Sequence, residues 1–128
     1  MPDPTPENGL ILVDTSVWID HLRKSNPLLC QLLSEGLVVI HPFVIGELAT
    51  GMIKNRIMIL ELLRNLPKTP MIKEIEFFAF IEQHNLFGKG IGFVDVHLLA
   101  SASKGGTTLW TLDKRLNKAA TEIGVCYP

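Results

Sequence analysis

Short apolar runs that alternate with segments of helical periodicity place the strongest constraint on the fold. Leu10–Val13 and Leu37–Ile40 are uninterrupted apolar runs, and Thr107–Thr111 is a third strand-like segment. Runs of this length are typical of strands that are buried on both faces of a parallel sheet. The segments between them repeat apolar residues every three or four positions, which indicates amphipathic helices.

The order of these segments predicts the fold class. The predicted helices cover residues 15–19, 27–35, 43–50, 55–65, 74–86, 95–103 and 114–123, and a last short strand covers 125–127. Strands that alternate with helices predict an α/β fold, a three-layer sandwich with a mostly parallel central sheet of four to five short strands. Right-handed crossovers between parallel strands place helices on both faces of the sheet.

Length and composition favour one folded domain inside the cell. The chain has 128 residues, of which 47% are hydrophobic, too many for a disordered protein. We expect residues 1–9, which are rich in proline, to form a disordered tail and residues 10–128 to form the domain. No apolar run approaches the roughly 18 residues of a membrane span, and the start lacks the features of a signal peptide. Two cysteines make no disulfide framework, so we expect a cytoplasmic protein.

The charge balance limits how this chain can handle a polyanion. Twelve Lys and Arg residues stand against thirteen Asp and Glu residues, which gives a net charge of −1. Proteins that hold nucleic acid through basic side chains alone usually carry a strongly positive balance. Any phosphate chemistry here would therefore need a metal ion to supply positive charge.

Four acidic side chains lie in or beside the apolar segments. Asp14 follows the first strand directly, and Asp113 lies two residues after Thr111. Glu47 interrupts an apolar helix, and Asp95 begins another. Ligands of open α/β sheets bind outside the carboxyl ends of the strands, so Asp14 and Asp113 approach each other if their strands are neighbours.

Each of these acids also has an ordinary structural explanation. Asp14, Asp95 and Asp113 precede predicted helices, where Asp is a preferred N-cap, and Glu47 can be a partly exposed helix residue. Their joint placement favours a site, because carboxylates that share a pocket repel one another unless a cation compensates them. Ligands that are all oxygen select a hard ion such as Mg²⁺ or Mn²⁺, and no Cys or His spacing supports zinc.

Four segments resemble, in order, the signatures of the PIN-domain ribonucleases. They are Val13–Val17, Gly46–Leu48, Val94–Ala100 and Thr111–Lys114. Their order and the overall length are similar to those of the VapC-like toxins of bacterial and archaeal toxin–antitoxin pairs. The short Gly46–Leu48 signature is nearly uninformative alone, whereas four signatures in order between Leu10 and Tyr127 are specific.

The resemblance implies a PIN-like endoribonuclease that cleaves RNA by metal-activated water and leaves a 5′-phosphate and a 3′-hydroxyl. It implies a Mg²⁺ or Mn²⁺ site, and RNA cleavage, carried by Asp14, Glu47, Asp95 and Asp113. Within that set we expect Asp14 and Asp95 to be the most direct ligands and the other two to complete the site or orient water. The resemblance also implies a homodimer and a small antitoxin whose tail occupies the acidic groove.

Further residues have weaker functional interpretations. The hydroxyls of Ser16 and Thr111 can position a carboxylate or a metal-bound water, although helix capping and strand propensity explain them equally well. Lys114 and Arg115 can contact RNA phosphates or simply form a solvated face. His97 stands where the family more often has a small apolar residue, and on a helix it faces about 200° away from Asp95. We therefore interpret His97 as a structural or interface residue.

Two other functions remain open at this point. A receiver-like phosphoacceptor domain has a similar size and also places acids at strand ends, but an early adjacent acidic pair and a Lys at the end of a late strand are missing from the sequence. A non-catalytic module could instead use its acidic groove to bind a basic protein partner.

Overall fold

The computed structural model describes residues 9–128, which form one parallel sheet and the helices around it. The strands are β1 (Ile11–Val13), β2 (Val38–Val39) and β3 (Thr108–Trp110), in the order β2-β1-β3. The helices are α1 (Thr15–Lys24), α2 (Pro27–Ser34), α3 (Pro42–Ala49), α4 (Arg56–Arg64), α5 (Glu74–His84), α6 (Phe93–Gly105) and α7 (Lys114–Ile123). The predicted tail, residues 1–9, lies outside the described residues apart from Gly9.

The central strand β1 lies between β2 and β3 in the sheet. Ile11 pairs in parallel with Val38 on one side and with Thr108 on the other. All three residues of β1 are buried, and successive side chains of a strand point to opposite faces, so both faces of the sheet are covered. This arrangement confirms the predicted α/β fold, and it fulfils the condition, a pairing of the first strand with the segment 107–111, under which Asp14 and Asp113 were expected to approach each other.

The sheet has three strands within residues 9–128, slightly fewer than the predicted four to five. The predicted strand 125–127 forms only an isolated parallel bridge between Leu109 and Cys126. Its two hydrogen bonds both use Leu109, whose N–H donates to Val125 O at 2.7 Å and whose carbonyl accepts from Tyr127 N at 3.0 Å. This segment runs parallel to β3, but only the pair Leu109 and Cys126 has the hydrogen bonds of a β-bridge, so no further strand is formed.

Two helices differ from their predicted bounds in ways that affect the acidic residues. α1 continues to Lys24 and ends at Ser25, whose φ is 55°, before the Asn26 side chain caps α2. α6 begins at Phe93, two residues earlier than predicted. Asp95 therefore lies inside the first turn of α6 and does not occupy its N-cap.

The core surrounds the sheet and fixes the ends of the strands. Leu12 and Leu109 are fully buried on neighbouring strands, and Leu99 of α6 and Leu116 of α7 are fully buried as well. Since α6 and α7 both pack on β3, the starts of these helices are held close to the carboxyl edge of the sheet. Among the helices described, none combines the length and apolar character that a bilayer crossing requires.

Candidate active site

Asp14 is held by hydroxyl groups and does not cap a helix. It follows β1, its side chain is buried, and its backbone N–H donates to Trp110 O of β3 at 2.9 Å. Ser16 Oγ and Thr111 Oγ1 each donate to Asp14 Oδ2 at 2.7 Å. Asp14 occupies the N-cap position of α1, but its side chain makes no capping hydrogen bond. The capping alternative therefore fails for this residue.

The same two hydroxyls connect the end of β1 to the turn after β3. Thr111 Oγ1 accepts from the Asp113 N–H at 3.0 Å, and Ser16 Oγ accepts from the Leu112 N–H at 3.0 Å. The two hydroxyl oxygens lie 3.3 Å apart. Ser16 and Thr111 therefore contact Asp14 directly and also fix the backbone that carries Asp113.

Asp113 does cap a helix. Its Oδ1 accepts from the backbone N–H groups of Arg115 at 2.8 Å and Leu116 at 3.1 Å, at the start of α7. The capping alternative is correct for Asp113, but the capping hydrogen bonds use only one of its two carboxylate oxygens. No hydrogen bond from residues 9–128 reaches Oδ2, and the side chain is solvent-exposed.

The other three acids lie close enough to Asp95 to affect its pKa. Its Oδ2 accepts from the Gly92 N–H at 3.0 Å. Burial raises the pKa of Asp95, and the nearby carboxylates of Asp14, Asp113 and Glu47 raise it further, against the lowering effect of the Gly92 hydrogen bond. Asp14, Glu47 and Asp113 therefore lie within electrostatic range of Asp95.

Glu47 has a partner that the sequence did not reveal. It lies on the exposed side of α3, and its Oε1 accepts a 2.7 Å hydrogen bond from Thr15 Oγ1. Thr15 is the first residue of α1, so it stands directly beside Asp14 in the chain. The position of Thr15 next to Asp14 was the only signal in the sequence that could have pointed to this hydrogen bond, because the bond depends on how α1 packs against α3.

The chemistry of these side chains fits a divalent cation. All four donors are carboxylates, and none of them forms a salt bridge with a Lys or Arg of residues 9–128. A cation of this kind would relieve the repulsion that raises the pKa of Asp95. In the part of the chain that is described, however, no three His, Cys, Asp or Glu side chains are yet close enough together to hold a metal. Binding therefore requires side-chain adjustment, which exposed Glu47 and Asp113 permit.

Lys114 and Arg115 lie at the exposed start of α7, beside Asp113. Arg115 packs across the loop that precedes α6, where a Cβ built on Gly90 would lie 2.6 Å from Arg115 Nη1. Gly90 also has a φ of 74°, so both the space and the backbone favour glycine. Arg115 therefore lies against the loop whose Gly92 N–H binds Asp95.

His97 belongs to an aromatic cluster, in agreement with the predicted structural role. Its ring stacks on Phe77 with centroids 4.3 Å apart and makes edge contacts with Phe93 at 4.6 Å and Phe43 at 4.9 Å. Burial lowers the pKa of His97. Its neighbour His41 has its pKa lowered to about 4, by burial and by the proximity of His97. These rings stabilise the packing of α3, α5 and α6.

Comparison with known proteins identifies relatives over most of the chain. Residues 11–122 match the family model described as PIN domain. The chain is 48% identical over 117 residues to the protein named Ribonuclease VapC32 in Mycobacterium tuberculosis, in strain CDC 1551 / Oshkosh and in strain ATCC 25618 / H37Rv. The similarity covers 91% of this chain and 94% of each relative.

Proposed function

Because this chain belongs to the PIN-domain family, among its VapC ribonucleases, we propose that it is a metal-dependent endoribonuclease and the toxin of a toxin–antitoxin pair. The observation that carries this proposal is the geometry at the ends of β1 and β3, where Ser16 and Thr111 hold the buried carboxylate of Asp14 and Thr111 also binds the backbone of Asp113. The family match argues against the receiver-like alternative. No contact within residues 9–128 favours a purely protein-binding function.

We assign the site residues as follows. Asp14 and Asp95 would bind the cation most directly, and Glu47 and Asp113 would complete its coordination or orient the attacking water. The family's dependence on a divalent metal and the all-oxygen donors favour Mg²⁺ or Mn²⁺. When bound, such an ion neutralises charge on the phosphate and lowers the pKa of a water.

Hydroxyl groups position these carboxylates. Ser16 and Thr111 fix Asp14 through Oδ2, and among residues 9–128 no hydrogen bond engages Oδ1, which is left for a ligand. Thr15 directs one oxygen of Glu47 in the same way. Because Ser16 and Thr111 already hold Asp14 in place, this carboxylate loses little conformational freedom on binding, whereas Glu47 and Asp113 would adjust to the cation. We also assign to Lys114 and Arg115, which are exposed at the start of α7, a contact with the phosphates of an RNA strand near Asp113.

The partners follow from the same assignment. The substrate is RNA, with single-stranded or loop regions favoured because their phosphates and bases are accessible. A small antitoxin protein would neutralise the enzyme in the cytoplasm. We also propose a homodimer that buries the apolar side of α5, where Ile75 is 79% exposed and Phe78 57% exposed.

The decisive experiment compares Asp14→Asn with Asp20→Asn. Purified proteins are incubated with bacterial RNA in Mg²⁺ or Mn²⁺, with EDTA as a further control. Asp20 also lies on α1, where it pairs with Lys24 at 3.4 Å, so its substitution removes one negative charge outside the site. We expect the wild type and Asp20→Asn to cleave RNA, and Asp14→Asn and all EDTA samples to be inactive.

Asp14→Asn should also raise the melting temperature of the metal-free protein. The substitution removes one of the charges that raise the pKa of Asp95, while the amide oxygen can still accept from Ser16 and Thr111. Cleavage by Asp14→Asn at the wild-type rate would show that the site assignment is wrong. Absence of cleavage by the wild type in both metals would refute the enzymatic function.

A further inference from the structure

A pocket of about 440 Å³ opens directly beside Glu47. It lies between α1 and the segment that follows α3. Its lining residues are Ile19, Leu22 and Arg23 of α1, Glu47 and Leu48 of α3, and the four residues 51–54. The volume lies within the range of about 300–1,000 Å³ that is typical of ligand pockets.

A second pocket continues the first one away from Glu47. It has a volume of about 470 Å³, shares Gly51, Met52, Ile53 and Lys54 with the first, and adds Arg56. The segment 51–56 therefore lines two adjoining pockets, which we together call the track, and the first of them includes Glu47 of the acidic site.

The charges along this track have the sign that RNA phosphates require. Arg23, Lys54 and Arg56 are exposed, and none of them forms a salt bridge with another residue of the described chain. The single acid in the track is Glu47, whose charge a bound cation would neutralise. Three unpaired cations thus gather beside an acidic site, in a protein whose net charge is −1.

The surface between these cations is apolar. Ile19 is 40% exposed at its edge, and the side chain of Met52 is fully exposed. Methionine is flexible and polarisable, so it packs well against flat aromatic groups such as nucleobases. Sites that hold single-stranded nucleic acid combine a positively charged groove with side chains against which the bases pack, usually aromatic ones. In this track Ile19 and Met52 supply the apolar surface instead.

We propose that this track binds the RNA strand next to the scissile phosphate. One nucleotide occupies the pocket beside Glu47, its base lies against Ile19 and Met52, and Arg23 and Lys54 contact its phosphates. Arg56 contacts the next phosphate in the second pocket. This inference rests on the proposed ribonuclease function and assigns the substrate path for the same site.

The test uses two triple variants that remove equal charge. Arg23→Ala/Lys54→Ala/Arg56→Ala empties the track of cations. The control, Lys24→Ala/Lys73→Ala/Lys118→Ala, removes three exposed lysines that line neither pocket. Both sets are made in the wild type for cleavage kinetics and in Asp14→Asn for binding, and thermal unfolding verifies that each variant folds.

Binding is measured by fluorescence anisotropy with a labelled single-stranded RNA of mixed sequence in Mg²⁺. We expect the track variant to weaken binding at least tenfold and the control to weaken it less than twofold. Because each phosphate contact on a single strand contributes about 0.7 to the slope of log K against log[salt], the track variant should lower this slope by about 2. In the active background, KM should rise by more than kcat falls.

Specific outcomes would overturn the inference. Equal losses in the two triple variants would show that only overall charge matters. Unchanged RNA binding by the track variant would assign the pockets to a protein partner such as the antitoxin, while cleavage by the wild type would leave the proposed function intact. If the wild type cleaves no RNA and Asp14→Asn binds none, the proposed function and this inference fail together.

Discussion

Replacement of Thr111 by valine isolates the hydroxyl that joins two of the acidic residues. Thr111 Oγ1 donates to Asp14 Oδ2 at 2.7 Å and accepts from the Asp113 N–H at 3.0 Å. Valine retains the volume and the branching at this buried position, so the packing changes little. A hydrogen bond to a charged group contributes about 1.5–3 kcal/mol and a neutral one about 1 kcal/mol. We therefore expect the free energy of unfolding of the metal-free protein to fall by about 3 kcal/mol.

The same substitution should weaken the metal site. Loss of a hydrogen bond that orients a ligand typically reduces metal affinity or activity by about 10–100-fold. Titration calorimetry with Mn²⁺ measures the affinity, and RNA cleavage over a range of Mn²⁺ concentrations measures its effect on the rate. Higher Mn²⁺ should restore part of the activity of Thr111→Val, because the carboxylates themselves are still present.

Thr111→Ser is the matched control, since it keeps the hydroxyl and removes only the methyl group. It should bind Mn²⁺ nearly as tightly as the wild type. Equal affinities and rates for Thr111→Val and Thr111→Ser would refute the reasoning, because the hydroxyl would then have no role in organising Asp14. Equal losses in both variants would assign the effect to packing.

Three further predictions concern other parts of the fold. The pKa of His41 is lowered from 6.5 to about 4, so between these pH values the unfolded chain binds a proton at His41 and the folded protein does not. The free energy of unfolding should therefore fall by roughly 3 kcal/mol as pH decreases from 6.5 to 4. His41→Asn keeps an acceptor for the Phe43 N–H and should reduce this pH dependence in urea unfolding; an unchanged dependence would contradict the assignment. Gly90→Ala should lower the unfolding free energy by about 1–2 kcal/mol, because alanine is strained at the positive φ of this position and its Cβ would clash with Arg115. In thermal unfolding of the double variant, Arg115→Ala should restore only the part of this loss that comes from the clash. If the proposed homodimer forms through α5, Phe78→Asp should convert it into a monomer in light scattering, whereas a dimer of unchanged stability would exclude α5 as the interface.

The fold could be predicted because its strands are strongly patterned. The runs at Leu10–Val13 and Leu37–Ile40 are too apolar to lie anywhere except in the interior, and a parallel sheet follows from the helices between them. The same logic predicted that Asp14 would approach Asp113 only if their strands were neighbours, and the sequence did not settle that condition. The strand at 125–127 was overestimated, because its composition is strand-like but only one residue pair completes the ladder.

The details of the site depend on tertiary packing that local patterns do not contain. The sequence could not distinguish the buried, hydroxyl-bound carboxylate of Asp14 from the helix-capping carboxylate of Asp113, since both follow strands and precede helices. The bond from Thr15 to Glu47 depends on how α1 and α3 meet, and two residues 32 positions apart give no periodic signal. The assignment of all four acids as metal ligands stays a prediction until a metal titration tests it.

The hydrogen bond between Asp14 and Thr111 joins residues 97 positions apart in the chain. A ribosome that has passed Asp95 but has not reached β3 has made β1 and Asp14, but neither the Thr111 hydroxyl nor the Asp113 carboxylate. At a synthesis rate of about 5–20 residues per second, the unfinished polypeptide spends several seconds without a complete site. On the proposed site assignment, translation must pass Asp113 before the protein can cleave RNA, and products of premature termination before β3 are expected to be inactive.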